Sequence, residues 1–482
     1  MLALKWGFVL ASILSGALVS TKALVNPFKS LSLNSSNQSS VSTAESTKDV
    51  SVFEDEKQSQ ESSTIPVSQT TDLENSVQSI APPKTKQLTQ EEIKKQAESV
   101  FEKLDDYTFK LFSNCNTGTG WILDYQIPDQ KDKYPLVWYI ATNAHVIRQW
   151  YFDQSNPYNQ VLPEKLSEYR QRYQDYYTHY SSKYYSLYSG NNCYYKRNYG
   201  AFDMNLSKQS SGQNMKSDIG AIYQRKIKKP KLFWTALNIF DENQSLGIGN
   251  NNFKDFAVIE IEFQNEKVAR EMTRDFATKY GGENSKNSIN LFGSPISKER
   301  LKDNNENFYS LGYPTKENDK FSYSKTWNPE TLAGEKLAED PRKSATVNQD
   351  KRLMGHVSAK SFNASELDWG GKKYSRMGHF YLLEGFPLGK GASGSMTVDG
   401  EGNLIGLKSR GEVGEKAKYS MILPIRSGNL EVEGDFKTPK YDLILGAEGQ
   451  KTSYKEQVEK YGKKTWLSSM GWKHNSENLK IN

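Results

Sequence analysis

The spacing of apolar and polar residues divides the chain into a polar stretch, one amphipathic helix and a series of short strands. Residues 26–87 are dominated by Ser, Thr, Gln, Asn and acidic side chains. Ordering such a stretch costs more conformational entropy than its burial returns, so a disordered stalk is predicted there. Thr89 and Glu92 then have the spacing of a capping box. A helix is predicted after them, because apolar residues recur at the helical period: Ile93, Ala97, Val100, Phe101 and Leu104.

Beyond the helix, apolar residues alternate or cluster in short runs separated by turn residues. The runs are TGTGWILDYQI, PLVWYIATNAHVI, KDFAVIEIEF, FYSLGYP, FYLLEGFPL and GNLIGLKS. Short strands without regular helices between them are typical of a barrel or a sandwich. The chain is therefore predicted to be mainly β, with one ordered domain over residues 88–430 and an extension over residues 431–482 that packs on it.

Two long segments, residues 148–250 and 294–377, interrupt the strand pattern and are predicted to be insertions. The first contains eleven tyrosines between residues 169 and 199. Tyrosine combines a large contact area with a hydrogen-bonding tip, which favours a protein-docking surface. The spacing equally fits an amphipathic helical excursion packed on the domain. Stacking on single-stranded nucleic acid is a third interpretation.

The first 25 residues have the layout of a signal peptide. Lys5 precedes an uncharged, mostly apolar stretch from Trp6 to Val19, and Thr21 and Ala23 offer a small-x-small cleavage site. The apolar stretch is short for a bilayer span of about 20 residues. An uncleaved membrane anchor is the alternative. Under either interpretation the rest of the chain is exported, to the cell surface or into the medium.

Charge and cysteine content narrow the possible partners. The 482 residues include 63 basic and 57 acidic side chains, and the net charge of +6 gives little support to a nucleic-acid partner. Two cysteines, Cys115 and Cys193, are too few for a disulfide framework and are not clustered with histidines. No metal and no cofactor are therefore predicted, and whether the two cysteines form one disulfide stays open.

His145 is the one histidine that closes a β-type run with a short polar turn. As a general base it would need one ring nitrogen free and the other held by a carboxylate. Asp255, at the start of DFAVIEI, can supply that carboxylate. Asp218 in SDIGAIYQ has the same local pattern, but the strand after Asp255 is longer and alternates more clearly. Taken alone, each of these residues also fits a purely structural role.

Ser393 lies between two glycines in the segment GASGS. Small neighbours permit a sharp turn that presents the hydroxyl, and the amides of Gly391 and Ser393 could form an oxyanion hole. Ser395 is the competing nucleophile. Two positions before it and one position after it lie Ser393 and Met396, whereas Ser393 has glycine at both of these positions. The motif alone fits a flexible loop as well as a catalytic turn.

The order His145, Asp255, Ser393 resembles that of the trypsin-like serine peptidases. TGTGWILDY and ATNAHVI resemble that superfamily's first two strands, DFAVIEI its aspartate strand, and GASGS its nucleophile loop. GLKSRG is similar to the strand whose backbone pairs with bound peptide, which implies substrate binding by Ser409, Arg410 and Gly411. The resemblance implies a double β-barrel with long insertions.

A narrower resemblance is to the surface peptidases of mycoplasmas that include immunoglobulin-cleaving serine proteases. It rests on GTGWILD, TNAHV, DFAVIEI, GASGS and the closing YDLILGAEGQKTSY. It implies peptide-bond hydrolysis through an acyl-enzyme. In the best-known members the substrate is an antibody heavy chain, presented by a separate immunoglobulin-binding protein.

Some positions depart from the trypsin-like pattern. His145 and Asp255 are 110 positions apart, and Ala392, Ser395 and Met396 replace the usual residues around the nucleophile. The substrate pocket is therefore not defined by the resemblance. A catalytically silent surface adhesin, or another host-protein-binding module on the same fold, is the alternative function. An esterase is disfavoured because no strand–elbow–helix pattern surrounds Ser393.

Overall fold

The computed structural model describes most of residues 88–474. The residues left out within that range are 113–116, 149, 151, 153, 164–204, 209–226, 229, 303–305, 315–325, 329–332, 336–341, 347–350, 355–365, 385–388, 390, 412–418, 429 and 433–435. The predicted signal peptide and stalk, Cys115, Cys193, Asp218 and the tyrosines of residues 169–199 all lie outside the described residues.

Among the described residues, helices are few and short, apart from the first. They are α1 (Gln90–Tyr107), α2 (Ala144–Ile147), α3 (Glu266–Thr273), α4 (Phe276–Tyr280), α5 (Lys298–Lys302), α6 (Tyr454–Lys460) and α7 (Trp466–Ser469). Two 3-10 turns cover Gln244–Leu246 and Gly282–Asn287. In the part of the chain that the structure describes, no helix is both long enough and apolar enough to cross a bilayer.

Helix α1 confirms the prediction made from its capping box and apolar spacing. The Thr89 side chain accepts a hydrogen bond from the Glu92 amide at 3.2 Å, and the Glu92 carboxylate accepts one from the Thr89 amide at 2.7 Å. The predicted apolar face is buried, and the Phe101 ring meets the Tyr309 ring edge-on at 5.6 Å between centroids. The helix therefore closes one side of the β core.

Strands dominate the rest of the described chain. They are β1 (Thr108–Phe112), β2 (Thr117–Tyr125), β3 (Val137–Thr142), β4 (Asn205–Ser207), β5 (Lys231–Leu237), β6 (Asn252–Glu262), β7 (Phe308–Leu311), β8 (Thr326–Asn328), β9 (Ala333–Glu335), β10 (Lys343–Thr346), β11 (Lys351–Met354), β12 (Glu366–Trp369), β13 (Lys372–Arg376), β14 (Phe380–Glu384), β15 (Met396–Asp399), β16 (Leu404–Gly411), β17 (Tyr419–Pro424), β18 (Arg426–Ser427), β19 (Leu430–Val432), β20 (Phe436–Thr438) and β21 (Tyr441–Asp442). The mainly β fold predicted from the sequence is confirmed.

The first large sheet has eight strands, in the order β12-β13-β6-β3-β2-β1-β4, with β5 also paired to β6. Its pairs are antiparallel except β13 with β6, which run parallel. Strands β4 and β5 come from residues 148–250, so that range is not all insertion. The run KLFWTAL forms a strand because Leu232, Phe233 and Trp234 are all buried.

The second large sheet has seven antiparallel strands, in the order β10-β7-β15-β16-β17-β14-β11. Residues 294–377, expected to be an insertion, supply β7, β10 and β11 to this sheet and β12 and β13 to the first. The run FYSLGYP predicted β7, but apolar residues are sparse in the other four strands, so the apolar pattern did not predict them. In β13, for example, only Tyr374 and Arg376 are buried.

The segment after β21 packs against the first sheet. The Trp466 ring stacks on the Tyr125 ring, with 5.6 Å between centroids and 6° between planes. The buried Asp124 carboxylate accepts hydrogen bonds from the Leu467 amide at 3.0 Å and the Tyr454 hydroxyl at 3.1 Å. Burial raises the pKa of Asp124 to about 7, against the lowering effect of these donors. This polar link sits within an aromatic core.

Candidate active site

The pairing of β3 with β6 brings His145 to Asp255. Thr142 at the end of β3 lies opposite Ala257 in this antiparallel pair, so the residues after Thr142 meet the residues before Ala257. Asn143 turns the chain into α2, and its side-chain amide donates to the Asp255 carbonyl at 2.6 Å. The His145 backbone amide then donates to Asp255 Oδ1 at 3.0 Å. The short polar turn thus aims the imidazole at the carboxylate.

The two side chains form a close, asymmetrically buried pair. His145 Nδ1 lies 2.6 Å from Asp255 Oδ2; the imidazole is 31% exposed and the carboxylate fully buried. Burial alone would raise the pKa of Asp255, but the charges of His145 and Arg376 and the hydrogen bonds from His145 and Ser409 hold it well below its usual range. An ionised carboxylate only accepts, so Nδ1 carries the hydrogen, and in the neutral form of the ring Nε2 is the nitrogen left to accept a proton.

Two further side chains hold the carboxylate in place. The Ser409 hydroxyl on β16 donates to Asp255 Oδ2 at 2.6 Å. Arg376, at the end of β13, donates from Nη1 to Ser409 Oγ at 2.8 Å, and its Nη2 lies 3.4 Å from Asp255 Oδ2. Ser409 was predicted to bind substrate through its strand backbone, which stays a prediction; its side chain faces the acid. Arg376 was missed, because nothing local in the polar run KKYSR marks its arginine as buried.

Thr119 on β2 ties the predicted nucleophile loop to the first sheet. Its amide donates to the Ser393 carbonyl at 2.8 Å, and its hydroxyl donates to the Gly391 carbonyl at 3.3 Å. The Thr119 carbonyl accepts from the Thr142 hydroxyl at 2.7 Å, three residues before His145. The loop and the histidine turn are therefore fixed to the same point. Sequence reasoning missed Thr119, since its role depends on a segment some 270 positions away.

The glycines of the loop are required by its conformation. Gly391 and Gly394 both have φ of 92°, in the region that favours glycine. A Cβ on Gly394 would lie 2.0 Å from the Thr119 carbonyl oxygen and 2.5 Å from Thr142 Oγ1. The backbone at Gly394 thus touches the strand ends that position His145.

The two serines of the loop have different environments. Ser395 is fully buried, and its hydroxyl donates to the Ala392 carbonyl at 2.5 Å. Ser393 is half-buried. Within the described residues its hydroxyl makes no hydrogen bond with His145, and neither its amide nor that of Gly391 donates to another backbone group. The structure therefore brings His145 and Asp255 together, but does not show the contact between serine and histidine.

The strand β16 extends past its neighbour β15. The paired residues of the two strands end at Met396 and Leu407, whereas Arg410 and Gly411 pair only with β17 among the described residues. The register shifts between Lys408 and Arg410, a bulge that turns Ser409 toward Asp255. Burial lowers the pKa of the half-buried Arg410 guanidinium to about 10.

A buried carboxylate that holds one histidine nitrogen, on a mainly β framework, is the arrangement with which hydrolytic enzymes orient a general base. The chain belongs to the Mycoplasma immunoglobulin protease family, whose model matches residues 87–408. This confirms the family predicted from the sequence motifs.

Individual relatives are distant. An uncharacterized lipoprotein of Mycoplasma capricolum subsp. capricolum is 24% identical over 468 residues, covering 76% of this chain and 68% of that protein. An uncharacterized lipoprotein of Mycoplasma pneumoniae is 24% identical over 383 residues, covering 71% of this chain and 82% of that protein. A solved structure of the mycoplasma MIB and MIP proteins is similar with a TM-score of 0.41 and 18% identity; the match covers 73% of this chain and 59% of that one.

Proposed function

We propose that this chain is an exported, surface-held serine endopeptidase in which Ser393 is the nucleophile. His145 is the general base, and Asp255 is the acid that orients it. The observation that carries the proposal is the close contact of His145 Nδ1 with the buried Asp255 carboxylate, which leaves Nε2 directed away from it. Membership of a protease family supports the reaction class.

The proposed reaction proceeds in two balanced halves. His145 Nε2 takes the Ser393 hydroxyl proton as Oγ bonds to the peptide carbonyl carbon, whose π electrons move to oxygen. The amides of Gly391 and Ser393 stabilise that oxyanion. The imidazolium then protonates the leaving amine as the C–N bond breaks, which leaves an acyl-enzyme. Water repeats the sequence, so that the acid product and the free serine are released.

The loop geometry favours Ser393 over Ser395 as nucleophile. The Ser395 hydroxyl is buried and already donates to a carbonyl, whereas Ser393 is half-buried in a turn tied to the histidine strand through Thr119. Catalytic hydrogen bonds are often long before substrate binds, so the absence of a serine–histidine contact is compatible with this role.

The two large sheets are proposed to be the two barrels of a trypsin-like peptidase, with the substrate lying between them. The stretch Arg410–Gly411 extends beyond β15, so its free edge could pair with an extended peptide. Surface attachment is proposed from the signal-like N-terminus and from the lipoprotein character of the relatives.

Labelling with a fluorophosphonate probe tests the proposal. The probe is expected to label the purified chain once, and Ser393→Ala should abolish labelling. Ser395→Ala is the matched control, since it alters the same loop and should remain labelled. If the well-folded chain is not labelled at all, the surface-adhesin hypothesis is favoured; if Ser395→Ala alone is silent, the nucleophile is misassigned.

The proposed substrate is an immunoglobulin heavy chain, in line with the description of the family. Incubation of immunoglobulin G with the chain, alone and with a separate immunoglobulin-binding protein, should give two heavy-chain fragments that Ser393→Ala does not produce. A labelled, active enzyme that leaves immunoglobulin intact under both conditions would overturn the substrate assignment but not the reaction class.

A further inference from the structure

A buried arginine lies on the far side of the acid from the histidine. The Arg376 side chain is 6% exposed, and its guanidinium lies between the Phe253 and Phe380 rings, 5.1 Å from each centroid. The only carboxylate within salt-bridge distance of it among the described residues is Asp255. Planar stacking and a forked donor pattern fix a guanidinium more firmly than an ammonium group could be fixed.

The same carboxylate oxygen is the partner of both the imidazole and the guanidinium. Asp255 Oδ2 is approached by His145 Nδ1 at 2.6 Å, by Ser409 Oγ at 2.6 Å and by Arg376 Nη2 at 3.4 Å. Because Ser409 Oγ also accepts from Arg376 Nη1, the serine hydrogen is committed to the carboxylate. Arg376 therefore acts on Asp255 directly by charge and indirectly by orienting Ser409.

The charge of Arg376 is permanent, whereas that of the imidazole changes during the proposed reaction. A fixed cation beside Asp255 offsets part of the negative potential that would otherwise stabilise the imidazolium. Other ionisable side chains near this network, among the described residues, include Lys254 on β6, Arg410 on β16 and Arg148 at the end of α2. All three are basic, so none of them offsets the positive charge of Arg376.

We infer that Arg376 is a positioning residue for the proposed reaction, one that holds Asp255 through Ser409 and whose fixed charge weakens the electrostatic hold of Asp255 on the imidazolium. This inference rests on the proposed function. A merely structural arginine would change stability and rate without moving the pH dependence.

The test compares three variants of the full chain. Arg376→Met removes the charge but keeps the apolar stem between the two rings, and Arg376→Lys keeps the charge but loses the fork. Arg426→Met is the matched control, because Arg426 is equally buried and is paired with Asp442 on β21. The rate of fluorophosphonate labelling is measured against pH, and the loss of the His145 ring proton is followed by NMR of ¹³C-labelled histidine, assigned with His145→Ala.

The midpoint of the acid limb and the NMR midpoint should both rise by about one pH unit in Arg376→Met. Both should stay within a few tenths of a unit of wild type in Arg376→Lys, which should instead label about tenfold more slowly because the fork is lost. Arg426→Met should leave both midpoints unchanged. Unmoved midpoints in a folded Arg376→Met would overturn the inference.

If Arg376→Met does not fold, Arg376→Gln, which also lacks the charge but can still donate to Ser409, takes its place. A rise of both midpoints by about one pH unit would support the inference, and unmoved midpoints or a wild-type rate in Arg376→Lys would overturn it. A wild-type chain that the probe never labels would contradict the proposed function itself. In that case the NMR midpoints still test the electrostatic effect of Arg376 on His145.

Discussion

At the scale of single residues, the most unusual feature is a cluster of buried basic side chains next to the proposed acid. Lys254 precedes Asp255 on β6, is fully buried, and its Nζ has no hydrogen-bond partner among the described residues. The nitrogen lies 4.1 Å from the centroid of the Tyr441 ring. Nearby His379 has both ring nitrogens buried without partners, and burial together with the charge of Lys254 lowers the pKa of His379 to about 3.

Lys254→Met should stabilise the protein. Burial holds the pKa of Lys254 well below its usual range, whereas the unfolded lysine is protonated up to about pH 10. Folding at neutral pH therefore releases a proton at a free-energy cost, which methionine avoids. We expect the free energy of unfolding to rise by about 1–2 kcal/mol at pH 7, and the gain to shrink as the pH approaches about 10.

Urea denaturation of both proteins at pH 7 and pH 9.5 measures this difference. Lys372→Met is the control, since Lys372 is exposed on β13 and its replacement should change stability by less than about 0.5 kcal/mol. A destabilised Lys254→Met would mean that the amine has a favourable buried partner.

At the scale of elements, the important contact is between the loop that carries Ser393 and the ends of β2 and β3. The loop is tied through backbone atoms of Thr119 and Ser393, so its position depends on backbone geometry more than on side-chain chemistry. Gly394 is the point of closest approach, where even a methyl group would meet the Thr119 carbonyl oxygen.

Gly394→Ala should therefore abolish fluorophosphonate labelling while most of the fold persists. The clash is with backbone, which cannot rotate away, and φ of 92° is itself costly for alanine. Gly402→Ala is the control: its φ is 81°, but a Cβ there meets nothing within 4 Å. We expect the control to lose about 1 kcal/mol of stability and to keep its labelling rate. Full labelling of Gly394→Ala would show that the loop is not held as described.

At the scale of the whole molecule, the C-terminal segment is part of the core of the first sheet. Trp466 and Leu467 are buried against β2, the Ile127 amide donates to the Lys464 carbonyl at 2.9 Å, and the Gln457 side chain donates to the Phe233 carbonyl at 2.7 Å. The segment therefore covers part of the first sheet, next to β2 and β5.

Trp466→Ala should lower the free energy of unfolding by about 3–5 kcal/mol, because it leaves a large cavity between Tyr125 and Phe276. Thermal unfolding followed by circular dichroism measures the loss. Met470→Ala, at a partly buried position on the same segment, should cost less than half as much. Equal losses of stability in the two variants would indicate that Trp466 contributes no more than any other contact of the segment.

What could be predicted from the sequence was encoded over a few residues at a time. The capping box and apolar face of α1, the strands β2, β6 and β16, and the family all follow from local spacing and short motifs. Asp255 was chosen over Asp218 by the same local criterion, and the structure places Asp255 against His145. The roles of these residues in catalysis remain predictions.

Only the tertiary structure decided which distant segments meet. Strands β4 and β5 join the first sheet although they lie in a range that was predicted to be an insertion. Pairing with β1 and β6 satisfies their backbone hydrogen-bonding groups, and the apolar pattern of the sequence does not show such pairing. Arg376 is buried because Asp255, Ser409 and two rings surround it, and Thr119 holds a loop that its own neighbours do not predict. The sequence by itself determined the elements and the candidate chemistry. The tertiary structure decided the register and the buried charges, because both depend on segments that are distant along the chain, as Thr142 opposite Ala257 and Arg376 beside Asp255 show.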